Sequence, residues 1–191
     1  MWRLLLVFLL IGQAAWGQQH VLKGRVFATP VPLFLYSLGL GYEHVFANNL
    51  SVQVLYNNYG YSNRNMDGNA VNTQGVVPEA RYYIGKQESF RQKFFVGVCT
   101  EVMLANETAG YAGQSANGTY QGAQYKMLNP GILAGKNISL GKHWHFDVYL
   151  GWKYKFMNIS EKYSNNGEIV YVDRNEQKAG MRLGLNLAWV F

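Results

Sequence analysis

The chain has one cysteine, Cys99, in 191 residues. That excludes a disulfide scaffold and a multi-cysteine metal site. Charge is sparse, at 15% of residues, and no Lys/Arg block of the kind that grips nucleic acid occurs, so no nucleic-acid partner is expected. Past the first 16 residues no run approaches the ~20 apolar residues of a membrane helix, which excludes a helical membrane protein. What is present is glycine (21 residues), tyrosine (14 residues) and 49% hydrophobic content scattered rather than bunched, a composition unsuited to a helical bundle. The length is that of one domain.

Residues 1–17 read as an export signal. Arg3 supplies a positive charge, Leu4 to Ile11 is an unbroken apolar run, and Ala15-Trp16-Gly17 places small residues where a signal peptidase reads them. The run is too short for an anchor, and no cysteine follows it for lipidation. Without Arg3, 16 basic residues face 11 acidic ones, a net of +5 for the expected mature domain, 18–191.

The mature segment alternates with period two, the mark of strands with two unlike faces. Met181, Leu183, Leu185, Leu187, Trp189 and Phe191 share one face, and Lys178, Gly180, Arg182, Gly184 and Asn186 the other. The same alternation runs through segments near 20–28, 36–46, 50–57, 75–84, 94–104, 123–139 and 145–156, giving eight strands. In the 123–139 segment Pro130 and Lys136 fall on the apolar face, so a bulge near Asn129-Pro130-Gly131 is expected. Connections at 47–49, 85–92 and 140–144 are short, whereas those at 61–73, 106–122 and 158–175 are long and rich in Asn, Gly and Ser. Short turns at one end and long loops at the other are the layout of an outer-membrane barrel. The expected fold is therefore an all-β, eight-stranded antiparallel up-and-down transmembrane barrel with a polar lumen and an apolar exterior facing outer-membrane lipids.

A soluble lipocalin-like carrier would invert those faces. Volume argues against it. An eight-stranded interior is just wide enough to be filled by side chains, and the apolar face carries Phe, Trp, Tyr and Leu at nearly every position. The other face is rich in glycine, which leaves room for a few long charged groups. Aromatics also cluster at both ends of the apolar face, with Phe46, Tyr82, Phe94, Phe146, Trp189 and Phe191 toward the short turns and Tyr36, Tyr56, Trp152, Tyr154 and Phe156 toward the long loops.

With these residues in view, the chain resembles small eight-stranded outer-membrane barrels of the OmpA/OmpX type, and more narrowly the outer-membrane barrel families of unknown function common in Bacteroidota. Val77-Pro78-Glu79-Ala80-Arg81-Tyr82-Tyr83-Ile84-Gly85 is similar to their Pro-Glu-x-Arg-Tyr-Tyr segment. Leu38-Gly39-Leu40-Gly41-Tyr42-Glu43 resembles an early strand of theirs, with the Glu/Tyr order reversed. Phe191, with Trp189 two before it, looks like the signal read by the barrel-assembly machinery, although Gly184 stands about two positions early for the glycine such signals carry. The resemblance implies a Gram-negative outer-membrane location.

Parity sends Lys23, Arg25, Glu43, Glu79, Arg81, Glu101, Asp147, Lys153, Lys155, Lys178 and Arg182 inward. Buried ions demand partners. Glu79 and Glu101 are expected to pair with Arg81, Lys153 or Arg182, and Glu43 with Lys23 or Arg25. The expected lumen network is thus Lys23, Arg25, Glu43, Glu79, Arg81, Glu101, Lys153 and Arg182, a closed plug rather than a narrow anion path.

No catalytic, cofactor-binding or metal residue is expected. His20, His44, His143 and His145 all map to the periplasmic end, while the loop carboxylates Asp67, Glu107, Glu161, Glu168, Asp173 and Glu176 are isolated and have no histidine to pair with. His143 and His145 share a strand face but lack a third ligand, and Cys99 reads as a small inward filler. This weighs against an enzyme acting on outer-leaflet lipid. The expected role is structural or adhesin-like, with Tyr111, Tyr120, Tyr163 and Tyr171 of the long loops available to an extracellular ligand.

Overall fold

The computed structural model describes residues 19–29, 33–46, 49–63, 70–85, 93–109, 114–115 and 118–191. The expected signal segment, Tyr111 and Asp67 lie outside the described residues. Eight long strands make the wall: β1 (Gln19–Thr29), β2 (Leu33–Val45), β3 (Leu50–Asn63), β4 (Ala70–Ile84), β5 (Phe94–Thr108), β7 (Gly118–Ser139), β8 (Trp144–Asn165) and β9 (Glu168–Val190). A two-residue strand, β6 (Gln114–Ser115), folds back on the start of β7. Each long strand pairs antiparallel with the next, β5 pairs with β7 past β6, and β9 returns to β1, which closes the sheet.

Period-two alternation survives closure because a closed sheet has only an inside and an outside. Trp152, Leu185 and Val96 are 56%, 53% and 45% exposed on the outer face. Their neighbours by parity, Gly151, Asn186 and Phe95, turn inward. The outer apolar surface runs along β8 from Trp144 to Phe156, and above it come Asn158, Ser160 and Lys162. At ~3.4 Å per residue and ~40° of tilt that belt is roughly 30 Å tall, which matches a hydrocarbon core with its flanking girdles. The seams from β1 to β9 in chain order pair through the belt, while β9 meets β1 only from Leu187 to Val190 at its foot.

The interior depends on glycine for space. A Cβ at Gly184 would sit 2.1 Å from Cζ of Tyr149, and one at Gly135 would sit 2.4 Å from Cζ of Phe95. Each ring lies over its cross-strand partner, Tyr149 over Gly184 and Phe95 over Gly135, where the neighbouring strand has no side chain. The lumen is accordingly mixed rather than uniformly polar, with Val21, Leu55, Val77, Tyr83, Phe95, Leu133 and Tyr149 buried among its ions.

Two features depart from expectation. No bulge occurs at Pro130. Thr100 stands opposite Pro130, and the register on both sides of β7 resumes unchanged beyond it. Pro130 is exposed and simply omits a donor; the irregularity lies instead between Tyr120 and Gly122. Lys136 does point outward, and its Nζ lies 4.8 Å from the Phe94 ring at the short-turn end, where the ammonium reaches the interface. The second departure concerns 158–175, which is not a loop. Strands β8 and β9 continue through it to a tight turn at Asn166-Gly167, with φ of 51° and 88°. An Asn-Gly pair adopts positive φ at little cost, and such turns match the twist of a hairpin. The other two long connections shorten as well, because β3 and β5 run on to Asn63 and Thr108.

Candidate functional site

The lower lumen holds one connected network. Asp147 accepts from Lys23 Nζ at 2.7 Å, Arg81 Nη1 at 2.8 Å and Asn186 Nδ2 at 3.2 Å. Lys23 also pairs with Glu43 at 2.8 Å, and Glu43 accepts from Ser51 Oγ at 2.5 Å and from the Tyr83 hydroxyl at 2.6 Å. Arg81 Nε donates to Glu79 at 2.5 Å, and Glu79 receives Arg182 Nη1 at 2.6 Å. Arg182 Nε lies 3.2 Å from Glu101, which also takes Lys153 at 2.6 Å and Asn129 at 3.1 Å. The path Lys23–Asp147–Arg81–Glu79–Arg182–Glu101–Lys153 climbs the barrel, with Glu43 as a branch.

Four acids and four bases share this network, so it is formally neutral. With Ser51 from β3 and Asn129 from β7, all eight long strands contribute to it. Two cations also lie on rings: Arg81 is 4.0 Å from the centre of Phe95, and Arg182 is 4.8 Å from that of Tyr149. Neutrality matters because an ion buried alone costs several kcal/mol, and here each has a partner of opposite sign. Asp147 joins β1, β4 and β9 around β8, a hub role that parity could not assign. The side chain of Arg25 lies outside the described residues.

Above the network the lumen changes character. Met103 of β5 stands opposite Met127 of β7, which stands opposite Met157 of β8, so three methionines form a row at one height. Ala105, Ala123 and Ile159 are buried above the row, with Tyr120 and Tyr125 packed against them. At the same heights the carboxylates expected to be isolated are drawn together, since Glu107 and Glu161 stand opposite Ala123, Arg174 opposite Ile159 and Glu176 opposite Met157. Arg174 Nη2 reaches Glu161 at 2.8 Å and Nη1 reaches Glu176; Tyr163 donates to Glu161 at 2.9 Å, and Tyr125 donates to Glu107. Tyr120 packs edge-on to Tyr163, and burial beside Glu107 and Glu161 pushes its phenol up to about 12. Cross-strand pairing supplied these partners, and only the missed Asn-Gly turn foretold it.

The histidines stay at the other end. His20 lies 2.5 Å from the Tyr42 hydroxyl and stacks on Phe191. His143 is in the turn before β8, stacks on Trp189 and contacts the Val190 carbonyl at 3.0 Å. His145 is buried inside the wall, so the two do not share a face. Trp189 and Phe191 thus sit at the closure of β9 on β1, where Phe191 N donates to the His20 carbonyl at 3.2 Å. Cys99 is buried and unbridged.

A family model covers residues 4–191, under the description "Protein of unknown function (DUF3575)". The chain belongs to that family. No curated protein matches it. Among solved structures it is similar to outer membrane protein AlkL in lipid bilayers, at 13% identity, with 94% of this chain and 93% of that one covered and a TM-score of 0.54. It is also similar to the translocator domain of the autotransporter NalP from Neisseria meningitidis, at 13% identity over 95% of this chain and 67% of that one, with a TM-score of 0.41. The AlkL likeness, the closed sheet and the belt agree: this DUF3575 chain has the fold of small outer-membrane β-barrels.

Proposed function

We propose that this protein is a non-enzymatic component of a Gram-negative, Bacteroidota outer membrane, exported through a cleaved signal peptide and seated by the barrel-assembly machinery through Trp189 and Phe191. Its barrel is a closed support. Its surface end, from the 61–73, 106–122 and 158–175 segments, meets an extracellular ligand in an adhesin-like role. The observation that carries the closed reading is the neutral network drawn from all eight strands, which occupies the cross-section an ion would need. The surface reading is supported by the tall β8–β9 hairpin, whose Tyr171 is exposed.

Single-channel recording in planar bilayers tests closure. The expected record is flat, and a steady large conductance overturns it. Shortening the hairpin by removing residues 162–171 and measuring binding of cells to host-derived surfaces tests the second part. Loss of binding is expected, and unchanged binding removes the adhesin-like role. Lipid A mass spectra that are identical with and without the protein are expected of a non-enzyme.

A further inference from the structure

Among the described residues the outward face of the belt carries one charged side chain. Lys136 of β7 points outward among apolar neighbours, with Phe94 opposite it on β5 and Val148 opposite it on β8. Lys126, on the same face of the same strand, stands opposite Asn158, above the belt. Lys136 has no ion pair among the described residues. An ammonium in hydrocarbon is costly, and a lysine placed there extends its stem to bring the charge to the interface. The Lys136 stem leads toward the short turns, since its Nζ lies 4.8 Å from the centre of the ring of Phe94, the first residue of β5. A ring face offers attraction but no oxygen, so the three ammonium hydrogens still call for an acceptor.

Above Lys136 the same face is hollowed. Ala134, two residues away on β7, stands opposite Val96, and Ala80 of β4 stands opposite Val98. Two small side chains beside the bulkier Tyr82, Ile132 and Trp152 leave a groove of about 650 Å³, lined almost wholly by apolar atoms. That volume falls within the ~300–1,000 Å³ of small-ligand sites. The groove opens to lipid and not to the lumen, because Val96, Val98, Ile132 and Trp152 are all exposed on the outer face. An apolar furrow continuous with the lipid belt suits a flexible hydrocarbon chain, and the unpaired cation at its foot suits an anion.

We propose that Lys136 and the groove between Ala80 and Ala134 form a binding site for an anionic phospholipid of the periplasmic leaflet. The lipid phosphate accepts from the Lys136 ammonium at the short-turn interface, and one acyl chain runs up the groove toward Trp152. A head with net negative charge is preferred to a zwitterionic one, whose own ammonium competes for the phosphate. The proposal rests on the membrane placement, with the short turns in the periplasm, and is independent of the lumen and of the surface end.

Native mass spectrometry of the full barrel tests it, with equal amounts of phosphatidylglycerol and phosphatidylethanolamine of identical acyl chains as probes. Vesicle insertion and heat-modifiable gel migration are recorded first for every variant, since their failure in the wild type overturns the membrane placement and not this site alone. Inserted wild type is expected to retain phosphatidylglycerol about fivefold better, the size of one lysine's attraction to anionic lipid. Lys136→Gln is expected to bring the two lipids to equal retention, whereas Lys126→Gln leaves the preference unchanged. Ala80→Trp, two strands away from the cation, fills the groove and is expected to cut retention of both lipids at least threefold while the folded gel band persists. The proposal is overturned by equal retention of the two lipids in inserted wild type, or by a preference that survives Lys136→Gln or is lost equally in Lys126→Gln. Full retention by Ala80→Trp also overturns it, as does a lipid-free dimer that Ala80→Trp dissociates, which would give the groove to a second copy of the chain.

Discussion

The lower and upper halves of the lumen solve one packing problem in opposite ways. Below, charged side chains of both signs are cross-linked through Asp147, Glu79 and Glu101 and wedged against Phe95 and Tyr149. Above, Ala123, Met157 and Ile159 form an apolar cluster packed by Tyr120, Tyr125 and Met127, and the Arg174 pairs with Glu161 and Glu176 stand beside it. The difference teaches where rigidity comes from. In the ion network every charged member is held by a partner of opposite sign, whereas the apolar cluster has no such directional contacts to fix it. The lower half is therefore expected to be the more rigid of the two.

The comparison breaks first at Asp147. Asp147→Ala leaves Lys23 and Arg81 short of a buried anion and is expected to cost about 3–5 kcal/mol, read as a lowered denaturant midpoint for the folded gel band. A loss under about 1 kcal/mol would show that water substitutes freely and that the plug is soft. Met157→Ala in the upper cluster is expected to cost about 2–3 kcal/mol, toward the small end for a buried methionine because flexible neighbours such as Met127 can relax. An upper-half loss exceeding that of Asp147→Ala would reverse the ranking of the halves. Arg174→Ala removes pairs with Glu161 and Glu176 that water reaches, so it is expected to cost about 0–1 kcal/mol and to lose even that in 1 M salt, while the Asp147 effect persists.

The smallest effect concerns the mouth at high pH. Tyr120 is raised to about 12, so its protonated form is favoured in the fold. That contribution is complete below the ordinary phenol value near ~10 and disappears as pH climbs through about 12. Phenolate absorbance should show a late step near 12 that Tyr120→Phe removes. A titration finished by ~pH 11 in the wild type would place this ring in water.

Much of this was legible from alternation alone. Parity put Trp152 outside and Glu79 inside because a strand allows only two directions, and closing the sheet does not change them. Partners were only partly legible. Glu79 with Arg81 follows from neighbouring positions on one face, but Asp147 with Lys23 and Arg81 needs strands distant in sequence to face each other across the tube. The 158–175 segment misled because its Asn and Ser content suggests a loop, although Asn166-Gly167 marks a hairpin wherever strands flank it. Pro130 misled in the other direction. A proline on an outward position of a twisted barrel omits a hydrogen bond without shifting the ladder.

The chain's own order of residues determined which side chains meet lipid, how many times the backbone crosses and that opposite charges share the interior, because period-two geometry and the cost of burying ions act locally. Tertiary structure alone decided that Asp147 is the hub, that three methionines align at one height and that β9 meets β1 over four residues but β8 over its full length. Those facts depend on register and on the heights of neighbouring strands, and these are settled only when the sheet closes on itself.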